Sequence, residues 1–253
     1  MGNEVQVLVA AMNQEDHSLL ENLNIQSDVI VGNQCKRNEI EQFDWQNHKV
    51  IYLNFAERGV GRNRNNSLMR ATGDICLFAD DDMRYVDDYP AIVKKCFEEH
   101  PKADVIIFNL IEKNTKRYII TKAHKVGPLC FLRYGAARIA VRRKKIMEQG
   151  IFFNLCFGGG TEHSCGEDSL FLADCLKRGL HVVAVPVFIA ELTEERESTW
   201  FDGYTDKYFA DKGFFYEILL PKYKKLLCLQ DAIRHAKEYG RPWRETYKLM
   251  LGK

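Results

Sequence analysis

The chain has 253 residues, of which 46% are hydrophobic and 28% charged, and its formal net charge is +1. This composition is typical of a soluble globular protein that can bury a substantial core. A net charge near zero argues against nucleic acid as a partner, and no apolar run approaches the length that spans a bilayer.

In the first half of the chain, short apolar runs alternate with segments of helical periodicity. Strands are predicted at 5–11, 28–32, 50–55, 75–79 and 105–110. Helices are predicted at 18–23, 62–71 and 88–99. This alternation predicts an α/β fold with a mostly parallel central sheet and helices on both faces. Ligands gather at the carboxyl ends of the strands in such sheets.

From about residue 111 the pattern is looser. Strands are predicted at 117–121, 129–132, 137–141 and 181–189, and helices at 144–149, after residue 168, at 221–239 and at the C-terminal end. Leu226, Leu229, Ile233 and Ala236 share one stripe of the helix at 221–239. Trp243 and Tyr247 lie on one face of the last helix.

The C-terminal segment is strongly basic. Residues 221–253 contain nine Lys or Arg and three acidic residues, so they carry +6 while the rest of the chain carries −5. This charge, together with Trp243 and Tyr247, fits a helix that rests on an anionic membrane. A helix that packs on the body and solvates its basic face fits equally well.

The eight cysteines form no Cys-x-x-Cys pair and show no zinc-binding spacing. Several lie in apolar runs, as Cys76 does, which is typical of reduced and buried thiols. We therefore predict a cytoplasmic protein, and contact of the basic C-terminal helix with lipid would place it on the inner face of the cytoplasmic membrane.

Three consecutive carboxylates, Asp80, Asp81 and Asp82, follow the strand at 75–79. Because side chains alternate along an extended strand, Asp80 and Asp82 can point into one cleft while Asp81 points elsewhere. Two carboxylates at the end of a strand suit a hard divalent cation and the phosphates that it carries. A solvated acidic turn would be the simpler interpretation if no other motif accompanied them.

Other motifs do accompany them. Taken with the triple Asp, they resemble the family 2 glycosyltransferases in order and approximate spacing, at 5–13, 59–68, 78–82 and 166–168. Those enzymes have the GT-A fold and use nucleotide-diphosphate sugars. The resemblance covers roughly residues 5–190.

The resemblance implies a domain organisation. A GT-A domain is expected at 1–215, with a nucleotide-sugar-binding half at 1–110 and an acceptor-binding half at 111–215. A basic helical extension is expected at 216–253.

The resemblance also implies roles for individual residues. Asp80 is expected to contact the nucleotide ribose or the metal, and Asp82 to bind Mg²⁺ or Mn²⁺. Asp168 matches the catalytic base and Glu167 its supporting residue, although acids in the first turn of a helix can also serve only as caps. The donor-binding residues that the resemblance implies are Ala11, Asn13, Asn33, Arg64, Asp80 and Asp81.

The chain departs from the family pattern in the nucleotide and metal sites. Asn33 stands where the family usually has an Asp that reads the base, and its amide offers both a donor and an acceptor. Ala-Ala-Met precedes Asn13 where Pro-Thr-Tyr is common. The late His that many members use as a metal ligand has no counterpart after 182–189, so Glu191 is the candidate ligand there.

The resemblance implies an inverting glycosyltransferase that uses a UDP-sugar to glycosylate a saccharide or lipid-linked saccharide in bacterial surface polysaccharide assembly. A nucleotidyltransferase on a related fold would need a phosphate loop rich in Gly and Lys after the first strand, where Gln14-Glu15-Asp16 stands instead. A non-catalytic nucleotide-sugar-binding protein is compatible with the departures in the nucleotide pocket.

Overall fold

The computed structural model describes residues 4–113, 118–193 and 203–253, which form a ten-stranded mixed sheet flanked by helices. The strands are β1 (Val5–Met12), β2 (Asp28–Gln34), β3 (Glu39–Trp45), β4 (His48–Phe55), β5 (Ile75–Asp80), β6 (Met83–Tyr85), β7 (Val105–Ile111), β8 (His124–Lys125), β9 (Ile139–Arg142) and β10 (Val182–Leu192). The helices are α1 (Leu19–Asn22), α2 (Val60–Arg70), α3 (Tyr89–Glu99), α4 (Arg143–Glu148), α5 (Glu167–Lys177), α6 (Asp206–Leu219), α7 (Lys224–Arg234), α8 (Ala236–Tyr239) and α9 (Trp243–Met250).

The strand order is β3-β4-β2-β1-β5-β9-β7-β10-β6, and β8 pairs with β10. Parallel pairing joins β4, β2, β1 and β5, and it also joins β7 to β10. The α/β class with a central sheet between helices is therefore confirmed. Less of the sheet is parallel than the alternation predicts, because β9 enters antiparallel between β5 and β7, and β3 and β6 add antiparallel edges.

Strand β3 and its hairpin with β4 escape prediction from the sequence. The turn residues Gln46 and Asn47 have φ angles of 48° and 67°, the left-handed pair that a two-residue hairpin requires. β3 is an edge strand whose residues are exposed or half-buried, so its sequence shows no buried apolar run.

Each face of the sheet is covered by its own layer of helices. β1 is buried along nearly its whole length between β2 and β5, as its continuous apolar sequence predicts. On one face, residues of α2, α5, α6 and α9 join a single apolar cluster, and α1 and α3 cover the other. This arrangement places the beginnings of α2 and α5 on the same side of the sheet.

Two predicted strands of the second half are absent from the structure. Residues 118–121 form an irregular segment, because the Asn109 amide bonds both backbone groups of Ile120 and Arg138 bonds the Tyr118 carbonyl. Side chains thus satisfy the backbone groups that a neighbouring strand would otherwise pair. Residue 117 lies outside the described residues, and 129–132 contains a 3-10 turn at Phe131–Arg133.

The C-terminal part of the chain is helical. Residues 206–219 form one continuous helix, α6, and the expected domain boundary at residue 215 lies within it. The predicted helix at 221–239 is divided into a 3-10 turn, α7 and α8, with α7 ending at Arg234. Helices α7 and α9 pack against α6, whose residue Phe209 is fully buried in the main cluster.

A buried polar cluster fixes α7 and α8 to α6. Asp231 accepts hydrogen bonds from the hydroxyls of Tyr216 and Tyr239, both at 2.6 Å, and pairs with Lys212 Nζ at 2.8 Å. Burial opposes ionisation of Asp231, but Lys212 and the two hydroxyls outweigh it, so the pKa of this carboxyl lies below its usual value.

Gly213 lies where α6 meets the end of α9, and Gly213→Ala should destabilise the protein. A Cβ at this position would lie 1.8 Å from the Met250 carbonyl oxygen, which belongs to the backbone and cannot turn away. We expect a loss of about 1–3 kcal/mol in unfolding free energy, measured by urea denaturation. Gly127→Ala is the control, because nothing lies within 4 Å of a Cβ there. Equal stability of the two variants would contradict this packing.

Candidate active site

The carboxyl ends of β1, β2 and β5 lie at one edge of the sheet, as their parallel pairing requires. Asp80 is the last residue of β5, and Asp81 and Asp82 follow directly. All three aspartates are half-buried. The acidic edge that the sequence predicts is therefore present in the fold.

A single buried arginine joins this acidic edge to helix α5. Arg64 in α2 is 4% exposed, and its Nη2 donates to Asp80 Oδ1 at 2.7 Å. Its Nη1 donates to Asp168 Oδ1 at 2.9 Å and to Glu167 Oε1 at 3.1 Å. Carboxylates from two distant parts of the chain thus converge on one guanidinium, whose planar fork can serve several acceptors at once.

Aromatic packing holds the guanidinium in place. Arg64 lies over the ring of Phe153, with 5.3 Å between the guanidinium carbon and the ring centroid. Phe153 stacks on Phe171 of α5, with ring centroids 4.4 Å apart. The amide of Asn65, next to Arg64, bonds both the backbone N–H and the carbonyl of Phe153, at 2.8 and 2.9 Å. These contacts fix the position of the Phe153 ring beneath the guanidinium of Arg64.

Burial changes the proton affinity of two members of the cluster. Burial raises the pKa of Glu167 to about 8, and the negative charge of Asp168 adds to the rise while Arg64 opposes it. Burial alone would lower the pKa of Arg64, but Asp80, Asp168 and Glu167 more than compensate, so its pKa is raised. Burial thus favours the protonated form of Glu167, while the neighbouring carboxylates favour the charged form of the guanidinium.

Asp168 is the more accessible member of the Glu-Asp pair. Its side chain is 25% exposed, against 11% for Glu167. Its Oδ1 faces Arg64, and its Oδ2 lies beside Gly135, where a Cβ would come within 3.3 Å. A glycine at that position leaves space next to the carboxylate. The carboxylate of Asp168 can therefore meet a group that enters from solvent.

The glycine-rich loop before α5 is attached at both ends. The N–H of Val60, at the start of α2, donates to the Gly159 carbonyl at 2.9 Å. His163 bonds Asp211 Oδ1 of α6 through Nδ1 at 2.9 Å and packs on Phe214, with ring centroids 4.6 Å apart. These contacts fix the loop that leads directly into Glu167, and they give His163 a structural role.

Asp81 and Asp82 lie in a second part of the site. They line a cleft of about 410 Å³, whose lining residues are Gln14, Leu19, Asn22, Asp81, Asp82, Met83, Arg84 and Thr193. Asp81 turns away from Arg64, and its Oδ2 accepts a hydrogen bond from the Met12 N–H at 3.2 Å. Asp81 therefore shares this cleft with Asp82, whereas Asp80 pairs with Arg64, so the structure does not reproduce the predicted alternation of Asp80 and Asp82 against Asp81.

The charge of the site suits a divalent cation. Arg64 contributes one cation to the site, whereas Asp80, Asp168 and Asp82, which follows Asp80 by two residues, contribute three carboxyl groups. Mg²⁺ commonly takes one or two protein carboxylates and completes its shell with substrate phosphates and water. Asp80 and Asp82 fit that pattern.

The described residues do not assemble a third protein ligand for such a cation. Within 4–113, 118–193 and 203–253, no group of three or more His, Cys, Asp and Glu side chains could hold a metal ion. Glu191 lies in β10 opposite Arg84 of β6 and does not join such a group, so the structure does not support its predicted role as a ligand. The neighbouring segment 194–200 lies outside the described residues.

Two residues predicted to bind the donor are internal. Asn33 is fully buried; its Oδ1 accepts from the Gln14 N–H at 2.9 Å, and its Nδ2 donates to the Gln14 carbonyl at 2.9 Å and to Asn54 Oδ1 at 2.7 Å. The structure does not support the predicted contact of Asn33 with the base, because its amide already forms hydrogen bonds with Gln14 and Asn54. Ala11 is buried within β1, whereas Asn13 is exposed in a turn with φ of 52°.

Sequence reasoning missed three residues that the structure places at the site. Phe153 supports Arg64, Gly135 borders Asp168, and Gln14 lines the cleft. The first two belong to the loosely patterned second half, where no periodicity marks them. Gln14 could have been found from its position directly after β1, at the carboxyl edge of the sheet.

Arg64→Ala should destabilise the protein by about 3–5 kcal/mol, because it leaves Asp80, Asp168 and Glu167 clustered without the buried guanidinium that binds them together. Urea denaturation measures the loss. Arg62→Ala is the matched control: Arg62 lies in the same helix, but its side chain is 52% exposed, so its loss should cost less than about 0.5 kcal/mol. Similar effects of the two substitutions would show that Arg64 does not bind the cluster together.

Glu167→Gln should change how stability depends on pH. With a pKa of about 8 in the folded protein against a usual 4.5, Glu167 retains a proton that the unfolded chain releases. Wild-type stability therefore falls as pH rises through this window, and glutamine removes that contribution. Urea denaturation near pH 5 and near pH 8 should show the variant gaining stability relative to wild type at the higher pH. A pH-independent difference would contradict the proton on Glu167.

Comparison with known proteins agrees with this architecture. The family model described as glycosyl transferase family 2 matches residues 16–163. No curated protein matches the chain. At under 25% identity, the solved structures below show a shared fold.

All of these structures are of S. aureus TarS. Residues 1–349 in complex with UDP-GlcNAc align with a TM-score of 0.62 and 18% identity, over 92% of this chain and 72% of that one. The complex of the same residues with UDP gives 0.63 and 14%, over 98% and 90%. A further TarS structure gives 0.59 and 17%, over 92% and 43%.

The family match covers more than half of the chain, and the alignments extend the same fold over nearly all of it. Glycosyl transfer is thereby favoured over nucleotidyl transfer. The chain belongs to glycosyl transferase family 2 and has the GT-A fold of those glycosyltransferases.

Proposed function

We propose that this protein is an inverting glycosyltransferase that moves a sugar from a UDP-sugar to a hydroxyl group of a saccharide or lipid-linked saccharide. One observation carries the proposal: buried Arg64 joins Asp80, on the donor side, to Glu167 and Asp168, on the acceptor side. The two halves of a transferase cleft thereby share one charged centre.

The donor assignment rests on the fold and on the acidic edge. TarS, whose fold this chain shares, has been solved with UDP-GlcNAc and with UDP. In this chain Asp80 and Asp82 lie at the edge where doubly wound sheets bind ligands, and the 410 Å³ cleft begins beside Asp82. Asn13 and Gln14 border the same edge and are the groups best placed to meet the nucleotide.

Asp168 acts as the base in this proposal. Its carboxylate takes the proton of the acceptor hydroxyl, whose oxygen forms a bond to the anomeric carbon of the donor. The bond between that carbon and the diphosphate oxygen breaks, and the electron pair leaves with the nucleoside diphosphate. A single displacement of this kind inverts the anomeric configuration.

Arg64 and Glu167 prepare the base for this step. Arg64 holds Oδ1 of Asp168, while Oδ2 lies beside Gly135, where the acceptor can approach. Burial raises the pKa of Glu167, so the proton on its carboxyl group would reduce the negative charge beside the base. Asp80 and Asp82 would hold Mg²⁺ or Mn²⁺, and such a cation stabilises the negative charge of the departing diphosphate.

The acceptor and the cellular setting are further parts of the proposal. Bacterial surface polysaccharide assembly is the setting that the family resemblance favours, with the protein in the cytoplasm and in peripheral contact with the membrane. No helix in the described parts of the chain is long and apolar enough to cross a membrane.

Release of nucleoside diphosphate from a panel of UDP-, GDP-, CDP- and TDP-sugars, with and without Mn²⁺, tests the proposal. We expect release from a UDP-sugar that depends on the metal and on an acceptor. Donor binding without any release or transfer would instead favour a non-catalytic binding protein.

Asp168→Asn should lower turnover by roughly 10²–10⁴-fold, because it removes the proton acceptor but preserves the shape of the side chain. Donor affinity, measured by calorimetry with Mn²⁺, should change little. Asp174→Asn is the control, since Asp174 lies in the same helix and its side chain is 48% exposed. Retained turnover in Asp168→Asn would exclude Asp168 as the base.

A further inference from the structure

Helix α7 presents apolar side chains to solvent. Leu226 is 61% exposed and Ile233 is 54% exposed. They lie seven residues apart, on the same side of the helix, and Leu229 lies between them, half-buried. The apolar stripe that the sequence predicts in this region therefore points outward rather than into the core.

The opposite side of α7 packs against the rest of the protein. Cys228 and Ala232 are fully buried there, and Asp231 joins the polar cluster with Tyr216 and Tyr239. The exposed stripe is thus a second apolar surface, which the fold does not need. Isolated exposed leucines are common, but a stripe along a helix indicates a binding surface.

Basic side chains surround the stripe. Lys225 and Arg234 flank it on either side, and Lys222 and Lys237 lie beyond its two ends. All four are exposed, and none forms an ion pair with a described residue. Lys224, on the inner side of the same helix, is neutralised by Glu217. The apolar stripe is therefore bordered by four exposed positive charges.

We propose that this α7 face, defined by Leu226, Leu229 and Ile233 with the four surrounding basic residues, docks on an anionic lipid surface. An apolar stripe between Lys and Arg residues lets a helix lie in the membrane interface, with its aliphatic groups in the acyl boundary and its charges at the phosphates. This inference gives the proposed membrane contact a specific surface, and it does not depend on the transfer chemistry.

The same charge argues against a second copy of the chain as the occupant. A symmetric contact through this face would bring Lys225 and Arg234 of both copies together, with no acidic residue on the face to offset them. A lipid phosphate surface complements that charge.

The last helix is a weaker candidate for the same role. α9 packs on α6 and α7, with Thr246 and Met250 buried and Tyr247 half-buried in the main cluster. Trp243 is 37% exposed and lies at the start of the helix. The predicted lipid contact through Trp243 and Tyr247 is therefore replaced by contact through α7.

Vesicle flotation of the full chain tests the proposal. We expect binding to phosphatidylcholine vesicles that contain phosphatidylglycerol, little binding to phosphatidylcholine alone, and release at high salt. The double variants Leu226→Ser/Ile233→Ser and Lys225→Glu/Arg234→Glu should each reduce the partition coefficient by about tenfold or more. Thermal melts should show that both remain folded, because the substituted side chains are exposed.

Matched controls change exposed residues elsewhere. Ile40→Ser/Met69→Ser removes two side chains that are 50% and 53% exposed, and Lys95→Glu/Lys144→Glu reverses two exposed charges. Both controls should bind vesicles as the wild type does. Absent binding, equal binding to neutral vesicles, or binding that the α7 variants retain would overturn the proposal. A dimer that only the α7 variants dissociate would identify a second copy as the occupant instead.

The α7 variants also separate this surface from the proposed activity. Nucleoside diphosphate release with a soluble acceptor should be unchanged in them. Loss of vesicle binding with full transfer activity supports the docking surface alone, whereas failure of transfer in the wild type counts only against the proposed function.

Discussion

The active-site region depends on one buried charge. Arg64 is almost inaccessible to solvent, and the surrounding Asp80, Asp168 and Glu167 offset the cost of burying its charge. The acidic side chains depend on the guanidinium in turn, because burial and the charge of Asp168 raise the pKa of Glu167 while Arg64 lowers it. Removing Arg64 would leave these side chains without their shared cation, so the beginnings of α2 and α5 and the end of β5 come together as one unit. In the proposed mechanism, the same constraint aligns the donor and acceptor sides of the cleft.

The surroundings of Arg64 explain why other features of the fold are as they are. Asn65 fixes Phe153 beneath the guanidinium, and the glycine-rich loop is attached to α2 on one side and to α6 on the other. Helix α6 is itself tied to the C-terminal helices through Asp231. The C-terminal helices thus support the side of the domain that carries Glu167 and Asp168, while the outer face of α7 stays exposed.

Much of this could be predicted from sequence, and the failures have physical causes. The buried parallel strands and the Asp80–Asp82 edge follow from local patterns, since long apolar runs end in charged residues. The position of Arg64 between three carboxylates is a tertiary property, which no local pattern contains. The predicted contact of Asn33 with the base is not supported, because its side-chain amide already forms hydrogen bonds with Gln14 and Asn54. The sequence predicts the apolar stripe of Leu226, Leu229 and Ile233, but helical periodicity does not reveal whether such a stripe faces the core or the solvent.

The most direct test of the central claim is a kinetic comparison of Arg64→Lys with the wild type. Lysine keeps the charge, but its ammonium is a point charge that cannot bridge three carboxylates in the manner of the guanidinium fork. If Arg64 organises both sides of the cleft, the variant should show a raised KM for the donor together with a lowered kcat. A variant that folds normally and changes neither parameter, or only one of them, would contradict the claim that a single arginine couples donor binding to the base.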